Sequence, residues 1–371
     1  MNANKLLFII PALPDYVPYV YNYFKIAEDC GREYDVVCWN RNGVDAALLS
    51  NYIVYNHSTK DSYPMLKKLR EIYKFSRFVR KSIHGRKYDV VFTYTIADSL
   101  FFGFWLSRCY KRRFVFDIRD YSPLISMRFP LRIIKKILGA SAMNVISSDG
   151  FRKWLPDGYN YTLCHNTDLD KVRLSTDNYN LRVSVKEENY IYPKRDDSTL
   201  IIITIGMIRD YKANATLVEA FANKEDVELR FAGAGGEKLQ CSFESERIKN
   251  VSFSGRYRKE EEDDLVRQAD MINLFLPHTL NSDTCMGNRM YLAARLRKPI
   301  IVTDNSWQAE VVKKYNIGVC VEWGDNLYSK ITGYWNNLDW IAFDAGCNAF
   351  LKKVQNDMNV WESKVRNIIL L

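Results

Sequence analysis

Short, unbroken apolar runs recur along this 371-residue chain, and most are followed by a stretch of helical period. KLLFIIPAL (residues 5–13) precedes the helical YVPYVYNYFKIAEDCG, which ends at Gly31, and EYDVVCWN (33–40) precedes the long basic helix MLKKLREIYKFSRFVRKSIHG. KYDVVFTYT, RRFVFDIRDY, AMNVISSDG and NYTLCHNT read as further strands. Apolar runs without alternation belong to strands covered on both faces. Strands separated by helices need right-handed crossovers, so the pattern predicts a parallel α/β sheet wound on both sides. Over 167–198 the pattern dissolves into polar, charged sequence that reads as a linker, with room for one short strand. Then it restarts. TLIIITIG, VELRFAGAG, NVSFSG, DMINLFLPH, KPIIVTD and IGVCVEW are the strands of a second sheet, with KANATLVEAFANK, KEEEDDLVRQA, GNRMYLAARL and SWQAEVVKKYN as helices. From about 325 the chain is mostly helical, with Trp335, Trp340 and Trp361 large enough to fill gaps between packed elements. The expected division is a first domain over 1–166, the linker 167–198, a second domain over 199–345 and a closing helix over 346–371.

Several classes fall away. No stretch supplies the ~20 apolar residues of a membrane span, and the apolar run at the start is too short for an export signal, so the expected location is cytoplasmic. The eight cysteines, at 30, 38, 109, 164, 241, 285, 320 and 347, form no C-x-x-C pair. Neither they nor the four histidines, His57, His84, His165 and His278, have metal-ligand spacing, so no metal is expected. Charge is uneven: residues 1–165 hold 25 Lys and Arg against 14 Asp and Glu, and the remainder 28 against 30. A basic half could face an anionic surface or a phosphorylated acceptor; no nucleic-acid module accompanies it.

In parallel α/β sheets ligands bind beyond the carboxyl ends of the strands. The loops there carry the candidate residues. Gly206 opens one, followed by Arg209 and Lys212 just before a helix, a combination that suits a diphosphate. Gly235 lies in the run Ala232–Glu237, where bare backbone could lie against a flat ligand part. Arg256 and Tyr257 end the NVSFSG strand, and Tyr257 could stack on a base. Asp283, Gly287, Asn288 and Arg289 lead into GNRMYLAARL, with Gly287 giving close approach, Asn288 a cap and Arg289 charge at the helix start. In the first half, Asp117-Ile118-Arg119-Asp120 ends a strand. Asp120 could orient a sugar hydroxyl or act as a base, and Arg119 could steady negative charge. The alternative for this loop is an internal Asp–Arg pair.

The stretches ITIGMIRDYKANATLVEAFA, LRFAGAG, VSFSGRY, GNRMYLAARLRKPIIVTD and AEVVKKYNIGVCV resemble the GT-B glycosyltransferases, family 4 and its relatives in bacterial polysaccharide assembly. The resemblance spans nearly the whole chain. It implies two Rossmann-like domains facing a cleft, a nucleotide-sugar donor on the second and a saccharide or lipid-linked acceptor on the first, with retention of configuration and no metal. Gly206 and Lys212 match the diphosphate loop by position. The family's arginine beside the glycine is Met207 here, so Arg209 would substitute. The family's E-x7-E pair falls on Thr284 and Leu292, leaving Asp283 as the nearest carboxylate, and Arg119-Asp120 stands where relatives place a His-Asp pair. The missing pair keeps a catalytically impaired scaffold, and the shared fold keeps a sugar-nucleotide epimerase, as alternatives to transfer. Lys67, Lys68, Arg70, Lys74, Arg77, Arg80 and Lys81 crowd the long helix with Tyr73, Phe75 and Phe78. SMRFPLRIIKKILGAS adds Arg128, Arg132, Lys135 and Lys136. Such faces suit the surface of an anionic bilayer.

Overall fold

A computed structural model describes residues 5–44, 52–60, 63–184, 199–243 and 248–370. The chain divides into two compact units, Met1–Asp168 with Asp357–Leu371, and Leu169–Asn356. Each unit is built on one parallel sheet.

In the first unit β1 (Lys5–Ile10), β2 (Tyr34–Asn40), β3 (Ile53–Asn56), β4 (Tyr88–Tyr94), β5 (Phe114–Ile118), β6 (Met143–Ile146) and β7 (Tyr161–Leu163) pair in the order β3-β2-β1-β4-β5-β6-β7. The order reverses between β1 and β4, the switch point at which such sheets take ligands. Helices α1 (Val20–Asp29), α2 (Met65–Ser82), α3 (Ile96–Cys109) and α4 (Arg128–Ala140) make the crossovers. Burial explains the unbroken apolar runs: Leu6 to Ile10 of β1 are all at most 1% exposed. The sequence reading carries no element over β3 or α3. Nearly every turn of IADSLFFGFWLSRC is apolar, so no single stripe marks it as helix, and both flanks are used. It packs on α2 on one side and α4 on the other, and a Cβ at Gly103 would run into Ile133 and Ile137 of α4.

The second unit begins with α5 (Leu169–Ser184), a helix where a linker was expected. Its burial is confined to Leu169, Val172 and Thr176, the i, i+3, i+7 positions of one narrow stripe, so overall polarity hides the period. The short strand allowed within the linker would fall, beyond α5, on residues outside those described. Strands β8 (Leu200–Ile205), β9 (Val227–Ala232), β10 (Val251–Gly255), β11 (Met271–Leu274), β12 (Ile300–Thr303) and β13 (Gly318–Val321) pair in the order β10-β9-β8-β11-β12-β13, with the switch point between β8 and β11. They alternate with α6 (Tyr211–Phe221), α7 (Gly236–Phe243), α8 (Glu262–Arg267), α9 (Leu280–Thr284), α10 (Asn288–Leu296), α11 (Trp307–Tyr315) and α12 (Leu327–Asn336). The final helix, α13 (Trp340–Leu370), belongs to the second unit up to Asn356 and to the first beyond it. Its buried Phe343, Cys347, Phe350, Val354, Met358, Trp361, Val365 and Ile369 keep a helical stripe throughout. Trp361 is fully buried, whereas Trp335 and Trp340 are half-buried and meet edge to face. All eight cysteines are free.

Candidate functional site

At the carboxyl edge of the second sheet the two glycine-bearing loops close on each other. Gly206 follows β8 with φ +93°, and Gly233 follows β9 with φ +144°. A Cβ on Gly233 would lie 1.7 Å from the Gly206 carbonyl oxygen, and one on Gly235 would lie 2.3 Å from that of Ile208. Glycine at 233 and 235 is therefore required by packing of backbone on backbone. This accounts for Gly235 without a ligand.

Beside Gly206 lies the guanidinium of Arg289, whose Nη2 would be 3.9 Å from a Cβ there. Its Nε donates to the Ile205 carbonyl at 2.6 Å and its Nη1 to the Asn273 carbonyl at 3.1 Å. Those carbonyls end β8 and lie in β11, so Arg289 straddles the switch point. Among the described residues it has no salt bridge. Burial pulls its pKa down to about 10, with Tyr257, Asp210 and Glu262 opposing the fall. A desolvated cation without a counter-ion is costly, and an anion placed there would relieve that cost. The sequence reading gave the place beside the glycine to Arg209. In the structure Arg209 is exposed, with Nε 2.7 Å from the Met207 sulfur, and Arg289 occupies that place from the first turn of α10.

The same edge carries the other donor-loop candidates. Lys212, exposed in the first turn of α6, holds its ammonium 5.3 Å from the centre of the Trp323 ring. Gly287, not Asn288, is the N-cap of α10 and brings no side-chain cap; Asn288 is the first helical residue and is exposed. The cap role given to Asn288 is corrected accordingly. The Gly287 N–H is taken by the Gln308 side-chain oxygen at 3.2 Å, and the helix start brings its partial positive charge beside Arg289. Tyr257 is half-buried and its hydroxyl donates to Glu262 at 3.0 Å, while Arg256 is exposed. Thr284 is buried with its hydroxyl turned back to the Leu280 carbonyl, and Leu292 is buried in α10.

Asp283 does not stand alone. His278 bridges it at 2.8 Å through Nδ1 and Glu322 at 3.0 Å through Nε2, and Glu322 also accepts from the Asn305 amide at 2.9 Å. Hydrogen bonds donated to Glu322 and then to Asp283 raise the His278 pKa above its usual value. Glu322 lies 44 residues from His278, and only the adjacency of β11, β12 and β13 joins them.

At the carboxyl edge of the first sheet the charges are already matched. Arg119 is buried, with Nη2 2.5 Å from Asp117 Oδ2, Nη1 donating to the Cys164 carbonyl, and the plane 4.2 Å from the Tyr19 ring centre. Tyr23 donates to the same Asp117 oxygen at 2.7 Å and receives the Trp361 indole N–H. The internal Asp–Arg pair is thus what this loop contains. Asp120 lies just beyond and is exposed. Inside the cluster Asp117 Oδ1, Arg119 Nε and the Tyr94 hydroxyl are buried with no hydrogen-bond partner among the described residues. The sequence reading missed Thr95 and Asp98. Thr95 follows β4 as the N-cap of α3, with φ +61° and ψ 150°, a conformation rare for a β-branched residue. Its hydroxyl donates to Asp98, whose pKa is raised by burial against the opposing charge of Arg41 at 3.5 Å. His165 is buried and bonded to Asp357 at 3.0 Å, a satisfied structural histidine.

The basic helices need one correction. Of the three aromatics on α2 only Tyr73 faces water; Phe75 stacks on Trp39 and Phe78 meets Tyr55. On α4 Arg128, Arg132, Lys135 and Lys136 are exposed beside Phe129, which is 68% exposed. Phe104 of α3 is 60% exposed under Lys136. Among the described residues no helix is long and apolar enough to cross a membrane, and no group of three or more metal-ligating side chains occurs.

Residues 185–332 match the family model described as glycosyl transferases group 1. The fold is similar to that of sucrose-phosphate synthase from Thermosynechococcus elongatus, at 15% identity over 98% of this chain and 96% of that one, with a TM-score of 0.67. It is similar to HepE of Anabaena in complex with UDP, at 15% identity over 97% and 98%, TM-score 0.64. It is also similar to WaaB, the lipopolysaccharide outer core galactosyltransferase, at 14% identity over 96% and 98%, TM-score 0.59. The chain has the GT-B fold of these proteins, and the group 1 match falls on the region of its second sheet. Comparison with curated proteins gives no significant sequence match. The two parallel sheets are those of the GT-B fold, and the Arg289 site lies within the group 1 region.

Proposed function

We propose that the chain transfers a glycosyl unit from a nucleotide-sugar donor to a saccharide or lipid-linked acceptor in bacterial surface polysaccharide synthesis. The observation that carries the donor assignment is Arg289, a desolvated cation with no salt bridge among the described residues, at the switch point of the second sheet. The donor diphosphate supplies the missing anion. Lys212 and the uncapped start of α10 share its charge as the sugar leaves, with no metal needed. The similar HepE structure is a complex with UDP, which supports a nucleotide as the ligand of this fold. Retention of configuration is part of the proposal. Asp283, held by His278, is the carboxylate offered to the transferred sugar, and Arg256 and Tyr257 border the nucleoside.

The first unit takes the acceptor. Asp120 engages its hydroxyl, and Arg119 acts through the Asp117 pair by fixing the loop that carries Asp120. The exposed cations of α2 and α4, with Phe104 and Phe129, hold the protein peripherally on the anionic inner face of the membrane.

A thermal-shift screen of UDP-, GDP-, ADP- and CMP-sugars tests the donor reading. Saturating donor raises the melting temperature by mass action; no shift with any of them sinks the reading. Sedimentation with phosphatidylglycerol vesicles at low salt tests the membrane reading, and a protein left in the supernatant refutes it.

A further inference from the structure

Away from both carboxyl edges, the first unit carries a groove of about 590 Å³ at the amino ends of β6 and β7. Arg112 lies before β5, Asn144 in β6, Tyr159 and Asn160 before β7, Thr162 in β7, and Lys364 on α13. The lining contains two cations and no carboxylate. The other large cavity, between α5 and the ends of α8 and α10, differs in this respect. There Asp263 engages Arg295, and Asp344 engages Arg182 and Arg297.

The cations of the groove are held toward neutral oxygens. Arg112 Nη1 donates to the Ser141 carbonyl at 3.2 Å, and Lys364 Nζ donates to the Thr162 hydroxyl at 3.0 Å. Thr162 Oγ therefore keeps its own proton to donate. Asn144 is buried and fixed from three sides: its amide donates to the Leu138 and Asn160 carbonyls, and its oxygen accepts from Ser141. Amides, hydroxyls and one half-buried tyrosine ring suit a sugar, which offers hydroxyls at its rim and C–H groups on its faces. Two cations without carboxylates add a requirement for negative charge on that sugar.

We propose that this groove is a second saccharide subsite, taking an acidic residue of the growing acceptor, with a carboxylate or phosphate placed between Arg112 and Lys364. The inference rests on the acceptor reading of the first unit and adds the substrate class, an anionic polymer. The five residues of β5 separate Arg112 from the Asp120 loop, on the order of 17 Å at the rise of a strand. An acceptor reaching both is therefore an oligosaccharide and not a single sugar. The groove raises affinity for long acceptors without touching the reacting groups.

Isothermal titration of the full chain with a galacturonate hexasaccharide, and with maltohexaose as the neutral comparison, tests this in the absence of donor. The acidic saccharide binds saturably and more tightly than the neutral one. Arg112→Ala/Lys364→Ala weakens it about tenfold or more, the scale of a lost charge-assisted contact. Lys364→Glu weakens it further, and Lys352→Ala, a cation elsewhere on the surface, leaves it unchanged. Equal binding of the two hexasaccharides, or unchanged affinity in the double variant, overturns the proposal. So does a double variant that loses binding to phosphatidylglycerol vesicles but not to the saccharide, which assigns the groove to lipid headgroups. Binding is read without turnover, so failure here leaves the transfer reading standing, and success does not depend on it.

Discussion

The carboxyl edges of the two sheets carry similar residues and opposite electrostatics. In the first unit Arg119 is buried against Asp117, and Arg41 faces Asp98. In the second, Arg289 is desolvated against two carbonyls and forms no salt bridge among the described residues, with Asp210 and Glu262 acting on it only from longer range. A cation that has its counter-ion stabilises its own loop. A cation that lacks one stores a preference for an anion from outside. Position on the sheet is thus not enough to assign a role to an arginine, and what decides is whether the fold has already neutralised it.

The sharpest way to break this contrast is to remove each arginine. Arg119→Met leaves Asp117 buried without its partner, a change that costs about 3–5 kcal/mol. The ligand-free protein should melt well below wild type, and the Asp117→Asn/Arg119→Met double variant should recover part of the loss. If Arg119→Met melts like wild type, the pair is not what holds the loop.

Arg289→Met should do the reverse. Only two carbonyl acceptors lose a donor, and a costly desolvated charge on a half-buried side chain is removed, so the ligand-free melting temperature stays within about 4 °C of wild type. Transfer falls by about 10²–10³, the scale of losing one preorganised group at developing charge, and the donor-induced thermal shift disappears. A variant that keeps the donor-induced shift would show that the diphosphate binds elsewhere. Lys212→Ala sharpens the same point with a smaller effect. The ammonium is exposed and sits over Trp323, so kcat/KM should drop about tenfold, the share of one solvated contact, with no change in stability.

Much of this was legible in the sequence, for physical reasons that differ by element. The strands announce themselves because sheets covered on both faces need unbroken apolar runs, as in Leu200–Ile205. The loops after them follow from that reading, which is how Gly206 and Arg289 were found. Helices α3 and α5 were hidden in opposite ways, one apolar on nearly every side and the other polar outside a narrow stripe. Pairing was the hardest to read. Nothing in Asp117-Ile118-Arg119-Asp120 distinguishes the arginine that turns inward from the aspartate that remains exposed. Nor does Met207-Ile208-Arg209 reveal that the cation beside Gly206 arrives from Arg289. Long-range partners such as His278 and Glu322 have no local signal at all, since strand order alone brings them together.

The His278 bridge gives the smallest and most specific prediction. Its two carboxylate partners raise its folded-state pKa above the ordinary value, and Glu322 is lowered in turn by the Trp323 backbone N–H and by His278. For a base whose folded pKa is raised, the stability gained is complete below the unfolded pKa and is lost as pH rises through the folded one. His278→Asn should therefore lower the melting temperature most near pH ~6, and the gap to wild type should close by pH ~9. The effect is modest because 37% of the imidazole side chain is in water. Thermal melts of the two proteins across that range read it directly, and a gap that stays constant or widens toward alkaline pH would mean that the charged bridge is not the source. The same substitution frees Asp283 without moving Arg289. If Asp283 meets the transferred sugar, kcat should then fall while the nucleotide-induced thermal shift persists, separating the sugar end of the donor site from its diphosphate end.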